Sequence, residues 1–237
     1  LHLLSRRQRQ MCIRDRSTLA RLLARHWDTD SGDIRIGGVS VKDMPLEQLS
    51  SLVSYVAQDN YLFDCPLREN IRMGKPDATD EEVEAAAAAA SCDEFIARLT
   101  LGLDTPAGAA GRALSGGEKQ RISIARAMLK GAPVIVLDEA TAFTDPDNED
   151  KIQQSINELA RGKTLLVIAH RLSTVSGADN IVVLQDGQVQ SQGSHEELLS
   201  DSPLYRSMRA AHTGAFEWSQ KRRDTEGVTE EKEGCHA

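Results

Sequence analysis

The chain has 237 residues, of which 40% are hydrophobic and 27% charged, with a formal net charge of -8 at neutral pH. Such a composition is that of a folded globular chain long enough for one large domain, and it excludes disorder throughout. The acidic excess argues against a surface that wraps duplex nucleic acid, which needs Lys and Arg to displace counterions, and no apolar run approaches the roughly 18 residues of a membrane span.

Residues 1–16, LHLLSRRQRQMCIRDR, carry five arginines and no helix or strand signal before an abrupt join to STLARLLARHWD. They read as a foreign or misread segment. The string MCIRDR resembles translated adapter read-through, and a basic amphipathic arm for a membrane surface is the rival reading. From Ser17 a helix is expected, with Leu19, Leu22, Leu23 and His26 near one face. DSGDIRIGGVSV then reads as a hairpin with a Gly-Gly turn, and LVSYVAQD as a strand. Helical patterns follow in LRENIRM, in the alanine-rich EEVEAAAAAASCDEFIARL, expected as one solvated helix, and in GGEKQRISIARAMLKG, which stops at Gly131.

PVIVLDEA is a continuous apolar run between breakers, the pattern of a strand buried on both faces of a parallel sheet, and KTLLVIAH repeats it after the helix DNEDKIQQSINELARG. NIVVLQ and QVQSQG flank Asp186-Gly187 as a hairpin. Ser194 and Glu197 then form a capping box ahead of another helix. The tail KRRDTEGVTEEKEGCHA has the mixed charge and few apolar residues of a disordered segment. Cys12, Cys65, Cys92 and Cys235 show no CxxC pairing or His partner at metal spacing, so neither a zinc site nor a disulfide framework is expected.

Two strings carry chemistry. LSGGEKQR, Leu114 to Arg121, stands at the start of a helix. Gly116 and Gly117 let a phosphate approach the backbone, Ser115 offers a hydroxyl, and the helix terminus adds unpaired amides and partial positive charge. Taken alone, Ser-Gly-Gly is equally a plain cap. VIVLDEAT, Val134 to Thr141, ends a buried strand in two adjacent carboxylates. Successive strand residues point oppositely, so Asp138 suits the surroundings of a magnesium ion while Glu139 polarises water for attack on a γ-phosphate. Solvated acids at a strand end are the bland alternative.

Together these strings resemble the ATP-binding cassette (ABC) family, in which they are the signature motif and Walker B. The likeness covers Ser17 to about Ala211. It implies an α/β fold with a P-loop NTPase-like core, namely a parallel sheet flanked by helices, an antiparallel β subdomain and a helical signature subdomain. It also implies ATP and Mg2+ as ligands, with Ser17 and Thr18 at the phosphates and Ser17, Gln58 and Asp138 around the metal. By the same likeness Gln58 is the Q-loop glutamine, His170 the switch histidine beside Glu139, Asp145 the D-loop aspartate, and Gln120 part of the nucleotide-facing signature string. LFDCPLRENI, AHRLSTV and DGQVQSQGSHEELL are similar to exporter-type members, and ATAFTDP to a subgroup that includes siderophore transporters of exporter architecture.

The resemblance further implies a motor at the cytoplasmic face of a membrane, partnered by a transmembrane domain and by a second nucleotide-binding domain that closes on it head to tail. One departure matters: the family's GxxxxGKST loop should end at Ser17 and Thr18, yet CIRDR precedes them, with Arg16 where lysine belongs and no glycine. Backbone amides wrap a phosphate only with glycine's permissive dihedrals, so impaired nucleotide binding is expected, as from an N-terminally truncated domain spanning 17–211. Ala109 likewise stands where the family often has glutamate. Rival readings are a soluble cassette ATPase of DNA repair or translation, and a degenerate domain that only binds a partner.

Overall fold

The computed structural model describes residues 17–138, 146–169 and 175–210. They fall into two compact units, which divide at His170 and Arg171.

The first unit is organised by a three-stranded parallel sheet of β3 (Val53–Val56), β4 (Val134–Asp138) and β5 (Thr164–Ile168), with β4 in the centre. The apolar run of β4 forms a strand because both its faces are covered: Ile135, Val136 and Leu137 are each 0% exposed. Alternation along the strand sends Ile135 and Leu137 into one core and Val136 into another. The larger core holds Leu67 and Ile71 of α3 (Leu67–Arg72), Val83 of α4 (Asp80–Ala89), Phe95 of α5 (Asp93–Ile96), Ile122 and Ile124 of α6 (Gly116–Lys130), and Ile152 and Leu159 of α7 (Pro146–Ala160). Each such side chain, fully buried, is worth about 1.5–3 kcal/mol against exposure.

The opposite core joins Ala20 from the helical residues 17–23 (α1) with Leu49 of α2 (Leu46–Leu52), Val53, Val136 and Ile168. On α1 the buried stripe differs from the expected one. Ala20 is 0% exposed while Leu19 is 47% exposed, so packing chose the small residue next to the sheet. β1 (Arg35–Ile36) and β2 (Val39–Ser40) form the expected hairpin across Gly37 and Gly38, both at positive φ.

The alanine-rich segment also departs from a single solvated helix. α4 starts on a Thr79–Glu82 capping box and ends at Ala89; Ser91 then takes φ 55, and α5 begins at Asp93. Val83, Ala86 and Ala87 are buried, which makes α4 a core element whose small side chains let it lie close on its neighbours. Cys92 sits at the break, 0% exposed, and burial pushes its thiol up to about 12.

α6 starts with Ser115 and Glu118 in a capping box and ends at Gly131 in the left-handed region, φ 68. Near its end it meets the turn after α3, where a Cβ on Gly74 would come within 2.2 Å of the Arg126 carbonyl oxygen. That approach requires glycine.

The second unit is the antiparallel hairpin of β6 (Ile181–Gln185) and β7 (Gln188–Gly193), turned at Asp186-Gly187, with α8 (His195–Asp201) and the helical residues 203–210 (α9). Ile181, Val183, Leu198 and Tyr205 are its core. The Ser194–Glu197 capping box is present, and His195 Nδ1 lies 2.7 Å from the Tyr205 hydroxyl.

Two outcomes test this packing. Gly74→Ala should destabilise the chain by about 1–3 kcal/mol through overpacking against backbone, measured as a lower denaturant midpoint with an unchanged slope. Iodoacetamide at pH 8 should spare Cys92 in the folded chain and modify it in urea, read by mass spectrometry, because the thiolate is disfavoured only while the core is intact.

Candidate functional site

Parallel register brings the expected residues to one edge. Val56 pairs with Leu137 and Ile168 with Asp138, so the carboxyl ends of β3, β4 and β5 lie side by side. Asp138 is the last residue of β4 and is 6% exposed. A carboxylate that deep needs donors, and it has two: Ser17 Oγ donates to Oδ1 at 3.0 Å, and the Tyr55 hydroxyl donates to Oδ2 at 2.8 Å.

The first of these contacts joins the start of α1 to the end of the central strand, across 121 residues of sequence. Thr18 follows on the same helix, half-buried. Tyr55 is the residue that sequence reasoning missed. Its signal was available in strand parity: Tyr55 pairs with Val136, two residues before Asp138, so both side chains stand on the α1 face of the sheet. Its phenol is pushed up to about 12, first by burial and then by the Asp138 carboxylate that accepts its proton, with the Arg21 guanidinium acting in the opposite sense. The His26 ring lies tilted against it, centroids 5.6 Å apart.

Gln58 follows β3 and is exposed; its backbone carbonyl accepts from Asn60 Nδ2 at 3.3 Å. Glu139, Asp145 and His170 lie outside the described residues.

The signature string sits at the other end of the unit's connectivity. Ser115 is exposed at the N-cap of α6; its Oγ accepts from the Glu118 amide at 3.3 Å, and Glu118 Oε2 accepts from the Ser115 amide at 2.8 Å. The cap uses the serine's lone pair, and Gly116 beside it is also exposed, while Gly117 is buried. Gln120 is 4% exposed on the inner face of α6 with its Nε2 enclosed, because the helical period turns it away from the terminus. Arg121, 2% exposed, likewise points inward, its guanidinium 5.2 Å from the Phe95 ring centre.

Between the two regions runs the segment LFDCPLRENI. Buried Asn70 of α3 ties it down: Nδ2 donates to the carbonyls of Phe63 at 3.0 Å and Cys65 at 3.2 Å, and Oδ1 accepts from the Phe63 amide at 2.9 Å. Arg126 of α6 donates to the Asn70 carbonyl at 2.8 Å, and burial holds that guanidinium below its ordinary pKa. The Ala107 amide donates to the Cys65 carbonyl at 3.0 Å, fastening the loop that precedes Ser115 to the same segment. Tyr61 and Phe63 project outward, 56% and 50% exposed, as an edge-to-face pair with centroids 5.2 Å apart. Ala109 is exposed on the adjoining loop.

The oxygen-only donors at Asp138 and Ser17 fit a hard divalent cation better than a soft one. Among the described residues no group of three or more His, Cys, Asp or Glu could hold a metal, so such an ion would take its remaining ligands from elsewhere.

Comparison with known proteins identifies the family. The family model for ABC transporters matches residues 16–142. The mycobactin import ATP-binding/permease protein IrtA of Mycolicibacterium smegmatis is 49% identical over 193 residues, 81% of this chain and 22% of that protein. An ATP-dependent lipid A-core flippase of Vibrio vulnificus is 44% identical over 200 residues, 84% of this chain and 34% of that one. A solved structure of a bacterial Atm1-family ABC exporter with ATP bound superposes with a TM-score of 0.79 at 42% identity, covering 83% of this chain and 34% of that one. This chain therefore spans about a third or less of these relatives. It belongs to the ABC transporter family.

Proposed function

We propose that the chain is the ATP-hydrolysing motor domain of an exporter-type transporter, at the cytoplasmic face of a membrane, that it drives a membrane domain through the LFDCPLRENI segment, and that CIRDR in place of a glycine-rich loop before Ser17 impairs its nucleotide binding. The Ser17–Asp138 hydrogen bond carries the reading, because it sets a hydroxyl and a carboxylate together at the carboxyl edge of a parallel sheet, where such folds bind ligands. Bound magnesium would neutralise phosphate charge there. Ser17 and Asp138 would hold that ion, with Gln58, just after β3, as a further ligand. Glu139, next in the chain after Asp138, takes the proton of the attacking water, and His170 steadies Glu139 and the γ-phosphate.

The exposed signature end of α6 serves a second copy or a related domain. With its lone pair engaged by the Glu118 amide, the Ser115 hydroxyl keeps its proton for a phosphate oxygen offered from outside, beside the amides at the helix start. Two such composite sites follow from a head-to-tail pair. Closure moves the Tyr61–Phe63 pair together with α6, since Asn70 and Arg126 join them. That exposed aromatic pair favours a membrane partner over the soluble repair or translation reading. The named relatives handle different cargoes on similar cassettes, so cargo is selected outside this chain.

The sequence before Ser17 favours a second reading, a domain that binds a partner without turning over ATP, because Arg16 and the absent glycines leave no amide cradle for the β-phosphate.

ATP titration tests the account of the defect, and turnover in a restored form separates the two readings. The chain should bind ATP at least tenfold more weakly than a form with GxxxxGK placed before Ser17; equal binding would overturn the account of the defect. In the restored form Glu139→Gln should cut turnover by about 10²–10⁴ and trap an ATP-bound dimer on gel filtration, whereas undiminished turnover would remove Glu139 as the base. Asn70→Leu should cost about 1–3 kcal/mol through stranded backbone partners and speed hydrogen exchange at residues 61–67.

A further inference from the structure

We infer that Tyr55 is a positioning residue for Asp138: its hydroxyl holds Oδ2 so that Oδ1 stays turned to Ser17, presenting a preformed oxygen site to a divalent cation. The inference rests on the reading of Ser17 and Asp138 as the cation-holding pair.

The observations behind it are geometric. Tyr55 and Asp138 share the α1 face of adjacent strands, and the two oxygens of one buried carboxylate are divided between two donors on different elements, Ser17 at 3.0 Å and Tyr55 at 2.8 Å. With one donor on each oxygen, rotation of the carboxyl group would break both bonds, so a single orientation is favoured. The phenol itself is fixed. Its ring lies against His26 and packs on the core of Ala20, Val53 and Val136. Arg21 lies beside the phenol, and its guanidinium rests 5.4 Å from the centre of the Trp27 ring. Partners outside the ligand set commonly orient metal-holding oxygens in this way. Without the hydroxyl, Oδ2 would lack its protein donor in a site 6% exposed, and the carboxylate would turn to seek another.

A purely structural role makes a different forecast. If the bond only satisfies a buried carboxylate, its loss lowers stability and leaves the affinity of the folded site for a cation unchanged.

The two are separated by NMR titration of the full 237-residue chain with Mn2+ alone as the probe, following paramagnetic broadening of the Ser17 and Asp138 amide signals. Tyr55→Phe should need roughly tenfold more Mn2+ for equal broadening at those two residues, while broadening at the exposed Glu81 carboxylate stays as it was. Superimposable titrations with a lowered melting temperature would leave Tyr55 a structural residue only, with the cation reading intact. Absence of broadening at Ser17 and Asp138 in the unaltered chain would instead remove the cation reading, and this inference with it. Should Tyr55→Phe fail to fold, Tyr55→Met, whose adaptable apolar side chain can fill the space against Ala20 and Val136 but carries no hydroxyl, should weaken Mn2+ broadening in the same direction, and an unchanged titration there would also count against the proposal.

Discussion

A carboxylate buried at the end of a strand is unfavourable by several kcal/mol unless its oxygens are paired, and the arrangement of the first unit follows from how Asp138 meets that requirement. One oxygen is satisfied by the first described residue of α1 and the other by a phenol on the neighbouring strand. Both donors must therefore sit on the same face of the sheet at its carboxyl edge. The small residue Ala20 makes this possible by letting α1 lie directly on Val53, Val136 and Ile168. Packing and polarity thus specify the same geometry at the carboxyl edge of the sheet.

On the opposite face a single helix does most of the organising. α6 carries the exposed signature cap at its start, buries Ile122 and Ile124 in the core that also holds Ile135 and Leu137 of β4, and near its end reaches two separate backbones. Arg126 donates to Asn70, and Lys130 donates to the Val53 carbonyl at 3.0 Å, with burial holding that ammonium below its ordinary pKa. These are hydrogen bonds to fixed carbonyl oxygens, so a shift of the helix is transmitted to β3 and to the aromatic segment and is not absorbed at a flexible surface. The glycine at position 74 removes the last slack by allowing backbone contact.

Much of this was legible in sequence because the relevant signals are local. The buried run of β4, the Ser115 and Ser194 capping boxes, the Gly131 stop and the Asp186-Gly187 turn each depend on a few adjacent residues. What escaped depends on distant pairs. Nothing near Tyr55 announces a bond to a carboxylate 83 residues away, although strand parity permits it. The alanine-rich segment misled because alanine is equally at home on an exposed helix and in a close helix contact. Its break at Ser91 is set by Cys92 and Phe95 entering the core. Gln120 was harder to place for a related reason: it belongs to a recognisable string, and only helical periodicity puts it inside.

The two candidate regions differ in a way that bears on mechanism. Asp138 is internally paired, so the Ser17 side presents groups already held in position and spends little freedom when a ligand arrives. Ser115 and Gly116 are exposed, and their cap is complete without any ligand. A helix terminus that is stable alone, projecting a hydroxyl and glycine backbone into solvent, lowers the cost of waiting for a surface that another chain supplies. One region is therefore suited to holding a charged ligand, and the other to recognising that the ligand is held. In the proposed head-to-tail pair, division of labour of this kind would make the closed state depend on both partners at once. The segment bonded through Asn70 and Arg126 is where that dependence would be felt outside the chain.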